Sequence, residues 1–97
     1  MSRKKYYCRP IKLYVCIICQ TQEDSFKALL FGYTNGVKLF DLTMPFPSGR
    51  NRCAYVNNKD YPWICDWLVE NGIANPTYRS YKENGFNYKE FKFRKEI

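Results

Sequence analysis

The sequence predicts an α+β fold, a small antiparallel sheet of four to six strands packed against one main helix at about residues 61–71. Three observations predict it. Apolar and β-branched residues recur at period two through the first half of the chain, and aromatic residues alternate with basic ones near its end. Asn35-Gly36 and Asn84-Gly85 punctuate those runs as hairpin turns, because Asn and Gly tolerate positive φ. Ile64, Trp67 and Leu68 stand at i, i+3 and i+4, the spacing of one inward helical stripe.

The elements follow in order. Residues 6–20 contain IKLYVCIIC, in which Ile11, Leu13, Val15, Ile17 and Cys19 share one face of a strand that Pro10 opens or bulges. A polar turn at 21–24 leads to a second strand at 25–33, and Asn35-Gly36 returns the chain as a third at 37–42. Residues 44–50 form a loop, and 52–56 a short fourth strand. Asp60 is the expected helix cap, with Pro62 in the first turn, where its missing N–H costs least. Gly72 ends the helix in the left-handed conformation, and Ile73 folds back as its apolar partner. The tail at 78–94 turns at Asn84-Gly85 into one or two last strands.

Composition bounds the rest. Ninety-seven residues make one domain, residues 1–97, with one modest core. Nine Tyr, seven Phe and two Trp are more rings than such a core holds, so some lie at the surface. The net charge is +7, and it sits at the ends. Residues 1–12 carry five bases and no acid, and residues 79–97 carry six bases and three acids. Such a chain favours anionic partners, namely nucleic acid, nucleotides or acidic proteins, although basic strands also serve solubility. No stretch reaches the ~20 apolar residues that span a bilayer, so no membrane partner is expected. No secretory signal is legible, and five cysteines, an odd number, read as reduced thiols of a cytoplasmic protein.

Chemistry is mostly excluded. Cys16 and Cys19 have the spacing of half a zinc site, but on a strand they point to opposite faces. The chain has no histidine to complete a metal set or serve as general base. Asp66 and Glu70 lie four apart on the helix and face water, and no phosphate-binding glycine pattern occurs. The reading is therefore no enzyme, no metal and no cofactor.

Two loops carry the candidate ligand-binding residues. The stretch SGRNR, Ser48–Arg52, carries Arg50 and Arg52 beside a flexible Gly49, and a guanidinium fork matches phosphate or carboxylate. Thr77, Tyr78 and Arg79 offer a hydroxyl, a stacking face and a further fork. The competing account is structural, with Arg79 paired to a helix carboxylate and Thr77 capping a turn.

The stretch CAYVNNKDYPWICDWLVENGIANPTYR resembles a family of small bacterial proteins designated domain of unknown function 4313. The matching positions are Cys53-Ala54-Tyr55-Val56, Asn57-Asn58, Pro62-Trp63, Asn71-Gly72-Ile73, Pro76-Thr77 and Arg79. Weaker similarity extends over about residues 26–93. Two departures stand out, Asn57 where the family carries an acid and Tyr78 where it carries glycine. The resemblance implies an accessory protein of phages, plasmids or conjugative elements, acting against host defence in the bacterial cytoplasm. Two function classes follow. One is a binder of an anionic ligand, either a nucleotide immune signal or nucleic acid. The other is an anti-CRISPR-type inhibitor that docks on a host defence protein. A binder needs a concavity joining Arg50, Arg52 and Arg79, whereas an inhibitor needs a broad exposed patch. A homo-oligomer stays open.

Overall fold

A computed structural model describes residues 4–22 and 25–97. The α+β reading stands, but the single sheet does not. Among the described residues, seven strands form two antiparallel sheets, one of four strands in the order β1-β2-β3-β4 and one of three in the order β5-β7-β6. In the first sheet β1 is Tyr6–Cys8, β2 Leu13–Gln22, β3 Ser25–Gly32 and β4 Lys38–Asp41. In the second, β5 is Cys53–Tyr55, β6 Ala74–Glu83 and β7 Phe86–Phe93. One helix, α1, spans Ile64–Glu70. Of the polar turn expected at 21–24, Thr21 and Gln22 continue β2, and the other two residues lie outside the described ones.

The predicted first strand divides in two. Pro10 sits in a 3-10 turn over Arg9–Ile11 that folds β1 back onto β2, with Tyr7 opposite Tyr14. Val15 and Ile17 face the core, and Cys19 packs against it. Cys16 lies on the opposite face, as strand geometry requires of a residue three positions away. All five cysteines are free.

The second sheet arises because β4 runs on past its partner. Leu42 donates its N–H to the Ala28 carbonyl, Thr43 pairs with Val56, and Met44 donates to Tyr55. This crossing stitches one sheet to the other. The shared core draws Val15, Leu30 and Leu42 from the first sheet, Ala54, Phe91 and Phe93 from the second, and Ile64, Trp67 and Leu68 from α1. The helical stripe read from spacing is buried as expected.

The helix is shorter than residues 61–71, and Asp60 does not cap it. Its first-turn flank is Trp63, without a side-chain cap. Asp60 instead closes a preceding turn with Asn57, donating its N–H to Asn57 Oδ1 at 3.1 Å. The C-terminus follows expectation. Gly72 has φ 65, its N–H donates to Val69, and the Ile73 N–H donates to Leu68 at 2.9 Å. Those two bonds define a Schellman stop. It turns the chain directly into β6, so residues 75–79, expected as a loop, belong to a strand.

Candidate functional site

The site begins at a break in the β6–β7 ladder. Pro76 pairs with Phe91 and Ser80 with Lys89. Between those pairs β7 has one residue, Glu90, and β6 has three, Thr77, Tyr78 and Arg79. The surplus residues are bulged out of an edge strand. Tyr78 takes φ 67, a conformation that costs a bulky side chain roughly 1–2 kcal/mol. Its ring is 93% exposed, so packing does not offset that cost.

Glu90 is the residue on which the bulge closes. Its side chain is fully buried, and an unpaired carboxylate there would be prohibitively costly. Four groups serve it. Ser48 Oγ donates to Oε2 at 2.7 Å, and Thr77 Oγ1 donates to Oε1 at 2.5 Å. Arg50 Nη1 lies 3.6 Å from Oε1, and the Arg79 guanidinium acts on the same carboxylate through its charge. The Arg79 N–H donates to Thr77 Oγ1 at 3.4 Å, which caps the bulge. Burial alone would push the Glu90 carboxyl up. The two hydroxyl bonds and the two guanidiniums outweigh it and hold the carboxyl below its ordinary value.

The predicted residues therefore separate. Arg50, Thr77 and Arg79 meet at Glu90, although Arg50 comes from a loop and the other two from the distant β6 bulge. Tyr78 stands beside them in solvent. Arg52 faces elsewhere. It has φ 57, donates from Nε to the Phe93 carbonyl at 3.0 Å and from Nη2 to the Arg94 carbonyl, and stacks over Phe26. It fastens the end of β7 to the core. Arg79 pairs with no helix carboxylate here, and Thr77 does cap a turn, but in the service of Glu90.

Two concavities flank this centre. A cleft of about 370 Å³ lies between α1 and the bulge. Phe91, Pro76 and Val69 give it apolar surface, and Tyr78, Arg79 and Lys89 line it as well. Its size lies within the usual range for small-molecule sites. A smaller recess of about 200 Å³ holds Arg50 and Arg52 with Phe26. Neither of these two concavities joins all three arginines. A further recess of about 580 Å³ lies between β1 and α1 and contains none of them.

Glu90, Ser48 and Lys89 were not predicted as site residues. Glu90 sits in the alternating stretch FNYKEFKF, where it reads as an outward polar position. The loop at residues 44–52, through Ser48 and Arg50, and the β6 bulge, through Thr77, close over it. Phe46 anchors this loop by stacking on Tyr81 at 4.5 Å between centroids and leaning on Tyr88. Burial also pushes up the Cys53 thiol, and the Glu90 charge adds to that, so this neighbour is set toward its unreactive form.

No helix among the described residues is long and apolar enough to cross a membrane. Comparison with family models, curated proteins and solved structures finds no match to this chain.

Proposed function

We propose that this chain is a non-enzymatic binder of a phosphate-bearing ligand, a nucleotide or the end of a nucleic acid, in the cleft between α1 and the β6 bulge. The observation that carries the reading is the convergence of Arg50 and Arg79 on a buried, fully hydrogen-bonded Glu90. One carboxylate neutralises only one of two guanidiniums, so the cluster keeps a positive charge. Glu90 also orients the forks in advance, which lowers the entropy lost on binding. Phosphate would sit on Arg79 and Lys89, and the base would lie against Tyr78. The strained backbone at Tyr78 supports this, because strain kept at an exposed ring contributes nothing to folding.

The resemblance read from the sequence sets this binding in the accessory proteins of phages and mobile elements. The ligand would then be a nucleotide immune signal, and the effect anti-defence by sequestration. An alternative is an anti-CRISPR-type inhibitor docking on a host effector, favoured by the exposed Tyr78 ring, which also suits a protein hot spot.

Calorimetric titration with linear and cyclic dinucleotides tests the first reading. Wild type should bind one of them with Kd on the order of 1 μM. Arg79→Ala should abolish that binding and phage protection together while the protein stays folded. Full protection by a folded Arg79→Ala variant would sink the proposal.

A further inference from the structure

The outer face of the first sheet carries a row of tyrosines that the Glu90 centre does not use. Tyr7 on β1 is in register with Tyr14 on β2. The Tyr33 N–H, just beyond β3, donates to the Tyr14 carbonyl at 3.0 Å. Three rings on three neighbouring chain segments thus stand side by side, with segments ~4.8 Å apart. The Tyr7 and Tyr14 centroids are 5.0 Å apart. The Lys5 ammonium lies 4.9 Å from the Tyr14 centroid and 5.4 Å from that of Tyr33, which places all three rings on one face. Their exposures are 45%, 53% and 41%, and none belongs to the core.

Cross-strand ring pairing and the Lys5 contact contribute to the sheet, but they leave much of each ring open to water. The chain segment that carries Tyr7 and Tyr14 is basic, and the acids near the row are Asp66 and Glu70, which share a recess with Tyr7, and Asp41, which pairs with Lys38. Residues 4–14 hold Lys4, Lys5, Arg9 and Lys12, all exposed, and no acid. Below the row, the same face continues through the buried Cys16 and the half-buried Phe31.

We propose that this face binds single-stranded nucleic acid, with successive bases stacked on Tyr7, Tyr14 and Tyr33 and phosphates on Lys5 and its basic neighbours. Aromatic rings displayed on an open antiparallel sheet stack two or three unpaired bases, and such stacking tolerates any sequence. Duplexes are disfavoured, because their base faces are already stacked on one another. Lys5 is long and flexible, so an arriving base displaces its ammonium from the ring toward the phosphate that comes with it. The four exposed bases of residues 4–14, with no acid among them, favour a polyanion along that edge of the face. This proposal is independent of the cleft at Arg79.

Fluorescence anisotropy with short labelled oligothymidine and oligouridine, each against a duplex of equal length, tests it. Single strands should bind at least about tenfold more tightly than duplex. Tyr14→Ala and Tyr33→Ala should each weaken binding by about tenfold or more, whereas Tyr14→Phe, which keeps the ring, should stay within about twofold of wild type. Lys5→Ala should flatten the salt dependence. Equal binding of duplex, no binding of either strand, or folded alanine variants that bind as wild type would overturn the proposal. Loss of oligonucleotide binding in Arg79→Ala with the tyrosine variants unaffected would also overturn it, while supporting the Arg79 cleft. Tyrosine variants that lose phage protection although wild type binds no oligonucleotide would assign the face to a protein instead.

Discussion

The outer faces of the two sheets have opposite fates. On the second sheet the loop at residues 44–52 lies across Tyr55, Tyr88 and Glu90, all buried. On the first sheet no core residue covers Tyr7, Tyr14 or Tyr33, which remain exposed. Covering a sheet face turns any polar group on it into an obligation. Glu90 must take Ser48, Thr77, Arg50 and Arg79 as partners, and that demand organises the bulge. An uncovered face makes no such demand, so its rings are free to meet something else. The same strand periodicity therefore yields a preorganised charge cluster in one place and an open aromatic platform in the other.

The largest test of that comparison removes what both faces share. Trp67 is buried in the common core, and its Nε1–H donates to the Tyr7 carbonyl at 3.0 Å. Trp67→Ala should cost about 3–5 kcal/mol, read as a large drop in melting temperature. A variant melting near wild type would mean that the two sheets do not depend on one helix anchor.

The next test acts on the covered face alone. Thr77→Val removes a donor to a buried carboxylate and should cost about 1–3 kcal/mol. The acid limb carries the same information. The folded Glu90 carboxyl lies below its ordinary value, so its contribution is fully present above the unfolded carboxylate pKa. That contribution is lost as pH falls through the folded value. Glu90→Gln should therefore flatten the loss of stability in acid, measured as melting temperature against pH. An unchanged acid limb would show that the cluster contributes little.

A smaller effect of opposite sign is expected at the bulge. Tyr78→Gly relieves the positive φ and should raise stability by up to about 1 kcal/mol, less whatever glycine adds to unfolded-chain entropy. Ligand binding in the cleft should fall at the same time. A stabilised variant that still binds would separate the ring from the site.

The smallest effect marks the uncovered face. Tyr14→Ala should change stability by no more than about 0.5 kcal/mol, because its ring makes no core contact. A large loss would show that the tyrosine row is structural after all.

Local physics made much of this legible in advance. The Asn84-Gly85 turn takes positive φ at both residues, as a two-residue hairpin demands. At Asn35-Gly36 only Gly36 does, and Asn35 instead accepts the Val37 N–H at 3.0 Å through its side chain. The helical stripe and the Gly72 stop were equally readable, since each depends on residues within two turns of chain. Arg50, Thr77 and Arg79 were singled out by side-chain chemistry, but nothing in their spacing points to Glu90.

By itself the sequence determined most of the strands, the helical stripe and its stop, the Asn84-Gly85 turn and the basic, aromatic-rich composition, because periodicity and turn chemistry act over a few residues. Only the tertiary structure decided that one sheet becomes two, that Arg52 fastens a strand end while Arg50 joins Arg79, and that an outward-reading glutamate is buried beneath a loop. The first depends on the pairing of Thr43 with Val56, and the other two on contacts between residues some forty positions apart, such as Ser48 with Glu90 and Arg52 with Phe93. No local pattern encodes such contacts, because the loop that crosses the sheet selects its partners by shape and by the need to satisfy buried charge.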